Sequence, residues 1–396
     1  MNAGVTTRPR VLFVTARARP ELGGIESHVA EIAGRAVERG YDVEVLTTDR
    51  SGRLPRREQV AGYTVRRFRA LPASRDWYAS PGLFWAVLTS RADVVHVQGV
   101  HTLVPPAALL AALLRRRKTV LTFHTGGSSS ALRRRSRGLQ WRLLTPLLRR
   151  TTRLVGVSHF EADLFSEVTG RDDVMVIRNG GALPLHSTVE SDPDLMLSIG
   201  RLERYKGHHR AVAALPELLR TRPRARLEIL GSGPAEQELR SLADRLGVGE
   251  RVRLRSLPPE DRAAMGAAVS RAGVVVLLSD YEAHPVAVME ALTVGRPVVV
   301  SRTSGLTELA DLGWARGLPA SATAAETAAV IEQQLTSPVL PDAAELPTWE
   351  TCMDGLDDLY RDVLGRPLRS ATTQRSTTTQ SSATTQRSPA ATAGSR

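Results

Sequence analysis

Val274-Val275-Val276-Leu277-Leu278 runs into Ser279-Asp280-Tyr281-Glu282-Ala283-His284-Pro285, then into Val286-Ala287-Val288-Met289-Glu290-Ala291-Leu292. The first run is apolar at every position, so neither face of the strand it forms tolerates water. That pattern belongs to a parallel strand covered by helices on both sides. The middle run carries polar residues and a proline, as a loop does, and the last run predicts a helix. Strand, loop and helix in this order form half of a βαβ unit.

The same alternation continues on both sides of this stretch. Strands are predicted over 11–15, 43–47, 64–68, 93–97, 119–123, 153–157 and 174–177. Further strands are predicted over 195–199, 226–230, 252–255, 273–278 and 297–300. Twelve strands exceed what one sheet of this kind holds, and the polar, proline-containing stretch Leu185 to Asp194 reads as a linker. The expected fold class is α/β, with two Rossmann-like, doubly wound domains facing across a cleft. They cover residues 1–184 and 185–348. From Arg366 the chain turns to Ser, Thr, Gln and Arg, and Ala371-Thr372-Thr373-Gln374-Arg375-Ser376 recurs at Ala383 to Ser388. Such a segment has little apolar surface to bury, so 366–396 is expected to be a disordered tail.

Composition narrows the class. At 396 residues, with 42% hydrophobic and 24% charged residues, the chain suits a globular protein of two ordinary domains. Cys352 is the single cysteine, which excludes an internal disulfide and suits a reducing compartment. No signal peptide is read before the strand at Val11, and Leu103 to Leu114 is too short to span a bilayer. The expected location is cytoplasmic. The net charge of +12 is uneven: residues 1–182 hold 29 Lys+Arg against 15 Asp+Glu, and the remainder 24 against 26. Lys118 and Lys206 are the only lysines, which points to GC-rich coding but does not explain the asymmetry. An anionic partner of the first half is therefore expected.

In open α/β sheets ligands bind at the carboxyl ends of strands, so the motifs are sought there. Leu22-Gly23-Gly24-Ile25-Glu26 lies between the first strand and a helix, where bare backbone N–H groups and a helix N-terminus suit an oxyanion. Arg201-Leu202-Glu203-Arg204-Tyr205-Lys206-Gly207 follows another strand. Two cations in one loop can neutralise a diphosphate. Gly231 in Gly231-Ser232-Gly233-Pro234 reads equally as part of that site or as a tight turn. In the opening stretch, Glu282 and Glu290 suit sugar diols, and the loop residues Ala283, His284 and Val286 offer backbone at a helix start. Glu290 sits among apolar neighbours, where a bare carboxylate is costly, which implies a partner. His124 ends the strand Thr119 to Phe123 and precedes Thr125-Gly126-Gly127. No metal site is expected, because Asp192-Pro193-Asp194 falls in the linker.

These motifs, in this order, resemble glycosyltransferase family 4, whose members are retaining, nucleotide-sugar-dependent enzymes of the GT-B fold. The resemblance runs from about Val11 to Leu364. It is carried by Glu282-x7-Glu290 with Gly295-Arg296-Pro297-Val298-Val299 and Gly305-Leu306-Thr307-Glu308, and by Arg201-x4-Lys206-Gly207. Gly23-Gly24, Phe123-His124 and Val176-Ile177-Arg178-Asn179-Gly180 add to it. The resemblance implies that Arg201 and Lys206 hold the donor diphosphate, Glu290 the ribose and Glu282 the transferred sugar. It further implies backbone contacts from Gly24 to phosphate and contact of His124 with the sugar near the reacting carbon. Helix 349–365 is implied to cross back onto the first domain. Ala283-His284-Pro285 stands where the family often has Gly-Phe-Gly, and Pro285 lacks an N–H.

The implied function is retaining transfer of a hexose-type sugar from a UDP- or GDP-linked donor to a hydroxyl acceptor, without metal or cofactor. Lipid-linked, cell-envelope and exopolysaccharide acceptors all stay open. Two other classes also stay open: a sugar-nucleotide epimerase on the same fold, and a basic protein that binds a membrane or polyanion without catalysis. Nucleic acid is not an expected partner. Residues 128–154 carry Arg133, Arg134, Arg135, Arg137 and Arg142 beside Trp141 and several leucines, with no acidic residue. That basic amphipathic pattern suits contact with an anionic membrane, and equally a helix packed on its own domain.

Overall fold

The computed structural model describes residues 8–21, 23–74, 78–100, 102–125, 131–184, 189–258 and 260–368, with only the backbone of 131–137 and 139. Leu22, Gly126, Gly127, the side chains of Arg133, Arg134, Arg135 and Arg137, and the tail from 369 onward lie outside this description.

The first sheet contains β1 (Arg10–Thr15), β2 (Asp42–Asp49), β3 (Arg57–Val60), β4 (Tyr63–Arg69), β5 (Val94–Gln98), β6 (Lys118–Thr122), β7 (Arg153–Gly156) and β8 (Met175–Val176). Their order is β3-β4-β2-β1-β5-β6-β7-β8. All pairs are parallel except β3 with β4. The helices of this half are α1 (Gly24–Glu38), α2 (Pro81–Thr89), α3 (Val104–Leu114), α4 (Ala131–Arg149) and α5 (His159–Thr169). Strand β3 was not expected. Its residues Arg57-Glu58-Gln59 are polar, which suits an exposed edge. The turn that makes it, Ala61-Gly62, has positive φ at both residues.

The second sheet contains β9 (Asp192–Ile199), β10 (Arg226–Leu230), β11 (Val252–Arg255), β12 (Ala272–Leu277), β13 (Val298–Ser301) and β14 (Arg316–Leu318), in the order β11-β10-β9-β12-β13-β14 and wholly parallel. Around it lie α6 (His208–Leu218), α7 (Glu236–Arg245), α8 (Arg262–Arg271), α9 (Val286–Thr293), α10 (Ser304–Asp311) and α11 (Ala324–Thr336). Strand β12 is buried along its length apart from Gly273, as its sequence requires. Strand β9 begins at Asp192, inside the stretch read as linker. The Asp-x-Asp pair is spent on arginines: Asp192 pairs with Arg226, and Asp194 with Arg224 at 3.1 Å.

The chain ends on the domain it began with. Helix α12 (Trp349–Leu364) lays Trp349, Met353, Leu356, Tyr360 and Val363 into the core under β1, β2 and β5 with α1. Its buried polar groups are all matched. Asp357 accepts from Tyr41 Oη at 2.5 Å and from Arg361 Nε at 3.0 Å. Tyr360 Oη lies 2.6 Å from His96 Nδ1, and His96 Nε2 lies 2.7 Å from Thr122 Oγ1. The opposite face of the sheet is covered by α2, α3, α4 and α5. There Trp141, partly buried, meets Phe165 edge to face at 5.3 Å, as a helix packed on its own domain would place it. Arg142 is exposed.

Asp357→Ala strands the Tyr41 hydroxyl in the core, and it is expected to cost about 2–4 kcal/mol in urea unfolding. An unchanged midpoint would contradict the role given to this contact.

Candidate active site

Each sheet reverses its winding once. In the first, β1 has β2 on one side and β5 on the other; in the second, β9 has β10 and β12. These switch points open crevices at the strand ends, and the predicted residues lie there. Gly23-Gly24 follows β1, Gln98 ends β5 and His124 follows β6. Arg201 and Lys206 follow β9, and Glu282 follows β12.

The second domain's half is tightly bonded. Lys206 Nζ lies 2.6 Å from Glu282 Oε1, and Ser279 Oγ donates to the same oxygen at 2.9 Å. The backbone of Glu282 is fixed by Ser304 Oγ, at 2.8 Å from its N and 2.7 Å from its O, and by Gly305 N at 2.9 Å. Arg201 pairs with Glu203 at 2.8 Å and is otherwise half exposed. The loop between the two cations is held by His208. This buried ring reaches Arg201 O at 3.2 Å and Ser198 Oγ at 2.8 Å, and burial lowers its pKa to about 4. Gly207 is required twice. Its φ is +73°, and a Cβ there would fall 1.8 Å from Leu278 O. A Cβ on Gly231 would fall 1.8 Å from Gly200 O, so close backbone approach accounts for that glycine without a ligand.

Glu290 has the partner its apolar setting demanded, and the partner is Arg262 of α8. Arg262 also donates to Ala182 O at 2.9 Å. Burial raises the Glu290 pKa, opposed by Arg262. Nothing in the sequence singled out Arg262, because it carries no motif and lies on another helix.

The first domain's half contains a chain of polar rings. His124 Nε2 meets Gln98 Oε1 at 2.8 Å, and the His124 ring packs on that of His28 at 4.8 Å. His28 Nδ1 meets Asn179 Oδ1 at 2.8 Å, and Asn179 Nδ2 donates to the His284 carbonyl at 2.7 Å. The carbonyl needs a donor, so the Asn179 oxygen faces His28, and His28 carries its proton on Nδ1. Burial lowers the His28 pKa to about 4, so the ring is neutral at pH 7. The His284 ring is buried with neither nitrogen bonded, and burial lowers its pKa to about 3.

Two carboxylates lie beneath the strand-end loops of the first domain. Glu161 of α5 is fully buried and accepts from Thr125 N, and from Val157 N at 3.0 Å, fixing the loop after His124. Burial pushes its pKa up to about 7, against those hydrogen bonds. The Glu26 carboxylate folds back over Gly23 at the α1 N-terminus, where a Cβ on Gly23 would collide with it. Burial raises the Glu26 pKa, while the charges of Arg17 and Arg201 lower it. Glu161 was not anticipated, since its bond to Thr125 N joins it to a loop 36 residues away, which spacing does not reveal.

The domains also meet away from the strand ends. Arg178 donates to Glu308 Oε1 at 2.5 Å, and Glu308 Oε2 accepts from His159 N at 2.8 Å. Helix α1 lies against α9, and α5 against α10. Among the described residues no cluster of three His, Cys, Asp or Glu is placed to hold a metal.

Residues 22–181 match the family described as Glycosyltransferase Family 4, and residues 186–345 that described as Glycosyl transferases group 1. A glycogen synthase of Mycobacterium tuberculosis is 34% identical over 168 residues, 41% of this chain and 40% of that one. The chain thus aligns with well under half the length of that relative. A GDP-mannose:cellobiosyl-diphosphopolyprenol alpha-mannosyltransferase of Xanthomonas oryzae pv. oryzae is 27% identical over 319 residues, 76% and 81% of the two chains. In structure, the Anabaena protein HepE, solved with UDP and glucose, superposes with a TM-score of 0.69 at 19% identity, covering 90% of this chain and all of that one. Two successive glycosyltransferase matches, laid on two doubly wound domains that meet at their strand ends, make this chain a member of glycosyltransferase family 4 with the GT-B fold.

Proposed function

We propose that the chain transfers a hexose from a UDP- or GDP-linked donor to a hydroxyl acceptor, with retention of anomeric configuration and without metal. One observation carries this reading: the pairing of Lys206 with Glu282 at the switch point of the second sheet. A cation for the diphosphate and a carboxylate for the sugar diol stand side by side, with Arg201 on the same loop. In the proposed roles Arg201 and Lys206 neutralise the departing diphosphate. Glu290 takes the ribose and Glu282 the sugar. Gly23 and Gly24, with the backbone of Ala283, His284 and Val286, line the phosphates. His124 contacts the sugar.

Retention fits front-face attack, in which the acceptor oxygen bonds to the anomeric carbon as the glycosyl–phosphate bond breaks. The acceptor proton passes to the departing phosphate oxygen. Glu282 is already bonded to Lys206 and Ser279, so it is poorly placed as the nucleophile of a double displacement. The two cations supply the charge neutralisation otherwise given by a metal. The Xanthomonas relative is named for a diphosphopolyprenol substrate, which favours a lipid-linked acceptor here. A sugar-nucleotide epimerase on the same fold would act on the donor without any acceptor. Incubation with donor alone distinguishes the two, since epimerised nucleotide sugar would refute transfer.

Lys206→Ala and Arg201→Ala are each expected to lower kcat/KM by at least about a hundredfold with an unchanged melting curve. Full activity in either would reject its role. NMR of the product is expected to show the donor's configuration, and chelation by EDTA should leave the rate unaltered. An inverted product, or loss of rate restored by Mg²⁺, would refute the mechanism. His284→Phe removes two unbonded buried nitrogens and is expected to stabilise by about 1–2 kcal/mol. The gain should widen as pH falls from 6.5 toward 3, because the wild-type ring takes up its proton only on unfolding. A gain independent of pH would show that the ring is protonated in the fold.

A further inference from the structure

We propose that the outer face of α2 and α3 is a docking surface for an anionic lipid bilayer. Helix α3 reads Val-Pro-Pro-Ala-Ala-Leu-Leu-Ala-Ala-Leu-Leu and α2 reads Pro-Gly-Leu-Phe-Trp-Ala-Val-Leu-Thr, without one charged residue. A helix apolar on all sides is normally enclosed. Here the inner sides pack on the sheet through Leu83, Val87, Ala108, Leu109 and Ala112, and the outer sides face solvent. Leu103, Leu110 and Leu114 stand 52%, 45% and 62% exposed, and their spacing of seven and four puts them in one stripe. Trp85 of the adjoining α2 is 63% exposed. An apolar patch of this kind marks an interaction surface.

Charge identifies the occupant. Residues 94–160 hold twelve Lys+Arg and no Asp or Glu. The α3 stripe runs directly into Arg115-Arg116-Arg117-Lys118, of which Arg115, Arg116 and Lys118 are exposed. Helix α4, in contact with α3, adds exposed Arg142 and Arg149, with Arg150 just after it, beside Leu143. A bilayer uses both features: leucines and the indole enter the acyl boundary while the guanidinium groups reach lipid phosphates. A soluble polyanion would leave the apolar stripe in water. A second copy would oppose like charges. Unlike the residues 128–154 singled out from the sequence, this surface is centred on α2 and α3. It rests on none of the donor-site roles.

The test is co-sedimentation of the full chain with phosphatidylglycerol/phosphatidylcholine vesicles and with pure phosphatidylcholine vesicles. Binding is expected to be at least about fivefold stronger to the anionic vesicles and to fall as salt rises. Trp85→Ser with Leu114→Ser should weaken it about tenfold without altering the melting curve, since both side chains are exposed. Arg115→Glu with Arg116→Glu should weaken it and flatten the salt dependence. Equal binding to both vesicles, or unimpaired binding by either double variant, would overturn the proposal. Heparin bound as tightly as anionic vesicles, or a lipid-free dimer abolished by Trp85→Ser with Leu114→Ser, would overturn it in favour of a polyanion or a second copy. A chain that misses vesicles yet glycosylates a soluble acceptor would retire the docking surface alone.

Discussion

The Asn179 side-chain amide holds the two halves of the site in register. Its oxygen faces His28 of the first domain and its nitrogen the His284 carbonyl of the second. Only one orientation satisfies both neighbours, because the carbonyl can do nothing but accept. Neither domain alone contains a complete set of strand-end groups. Gly23, Gly24 and His124 come from one side, and Arg201, Lys206, Glu282 and Glu290 from the other. Their mutual placement therefore depends on a crossover that cannot drift. The Arg178–Glu308 pair reinforces it from the neighbouring residue.

The charges at the cleft are balanced from within. Lys206 holds Glu282, Arg262 holds Glu290, and Glu26 lies in the field of Arg17 and Arg201. A buried ion left unpaired is expensive, so these partners are part of what holds the cleft folded. An anionic ligand entering it must compete with carboxylates already in place. Binding is then an exchange of partners, and its strength reflects the difference between two sets of hydrogen bonds.

Much of the fold was legible because parallel strands covered on both faces must be apolar at every position, as Val274 to Leu278 are. Strand β3 escaped because an edge strand can be polar, and β14 because three residues carry no period. Asp192 and Asp194 read as linker, since charge hides the start of a strand when arginines stand opposite. At the site, residues on one loop or one helix were visible through their spacing. Glu290 revealed that it needed a partner but not which one, because Arg262 approaches through space. The same limit hid Glu161 under the His124 loop. For Trp141 two readings stayed open because helical spacing alone cannot tell which side of a helix faces the core; the ring of Phe165 is what it packs on.

Helix α12 gives the molecule a particular order of assembly. The first domain needs Met353, Leu356 and Tyr360 to close its core, yet the whole second domain is translated between them and the strands they cover. During synthesis the apolar face under β1, β2 and β5 waits uncovered while residues 192–336 emerge and fold. Loop-closure entropy rises only slowly with such a separation, so the final structure suffers little from it. The nascent chain carries the burden instead: its oldest part is the last to be finished.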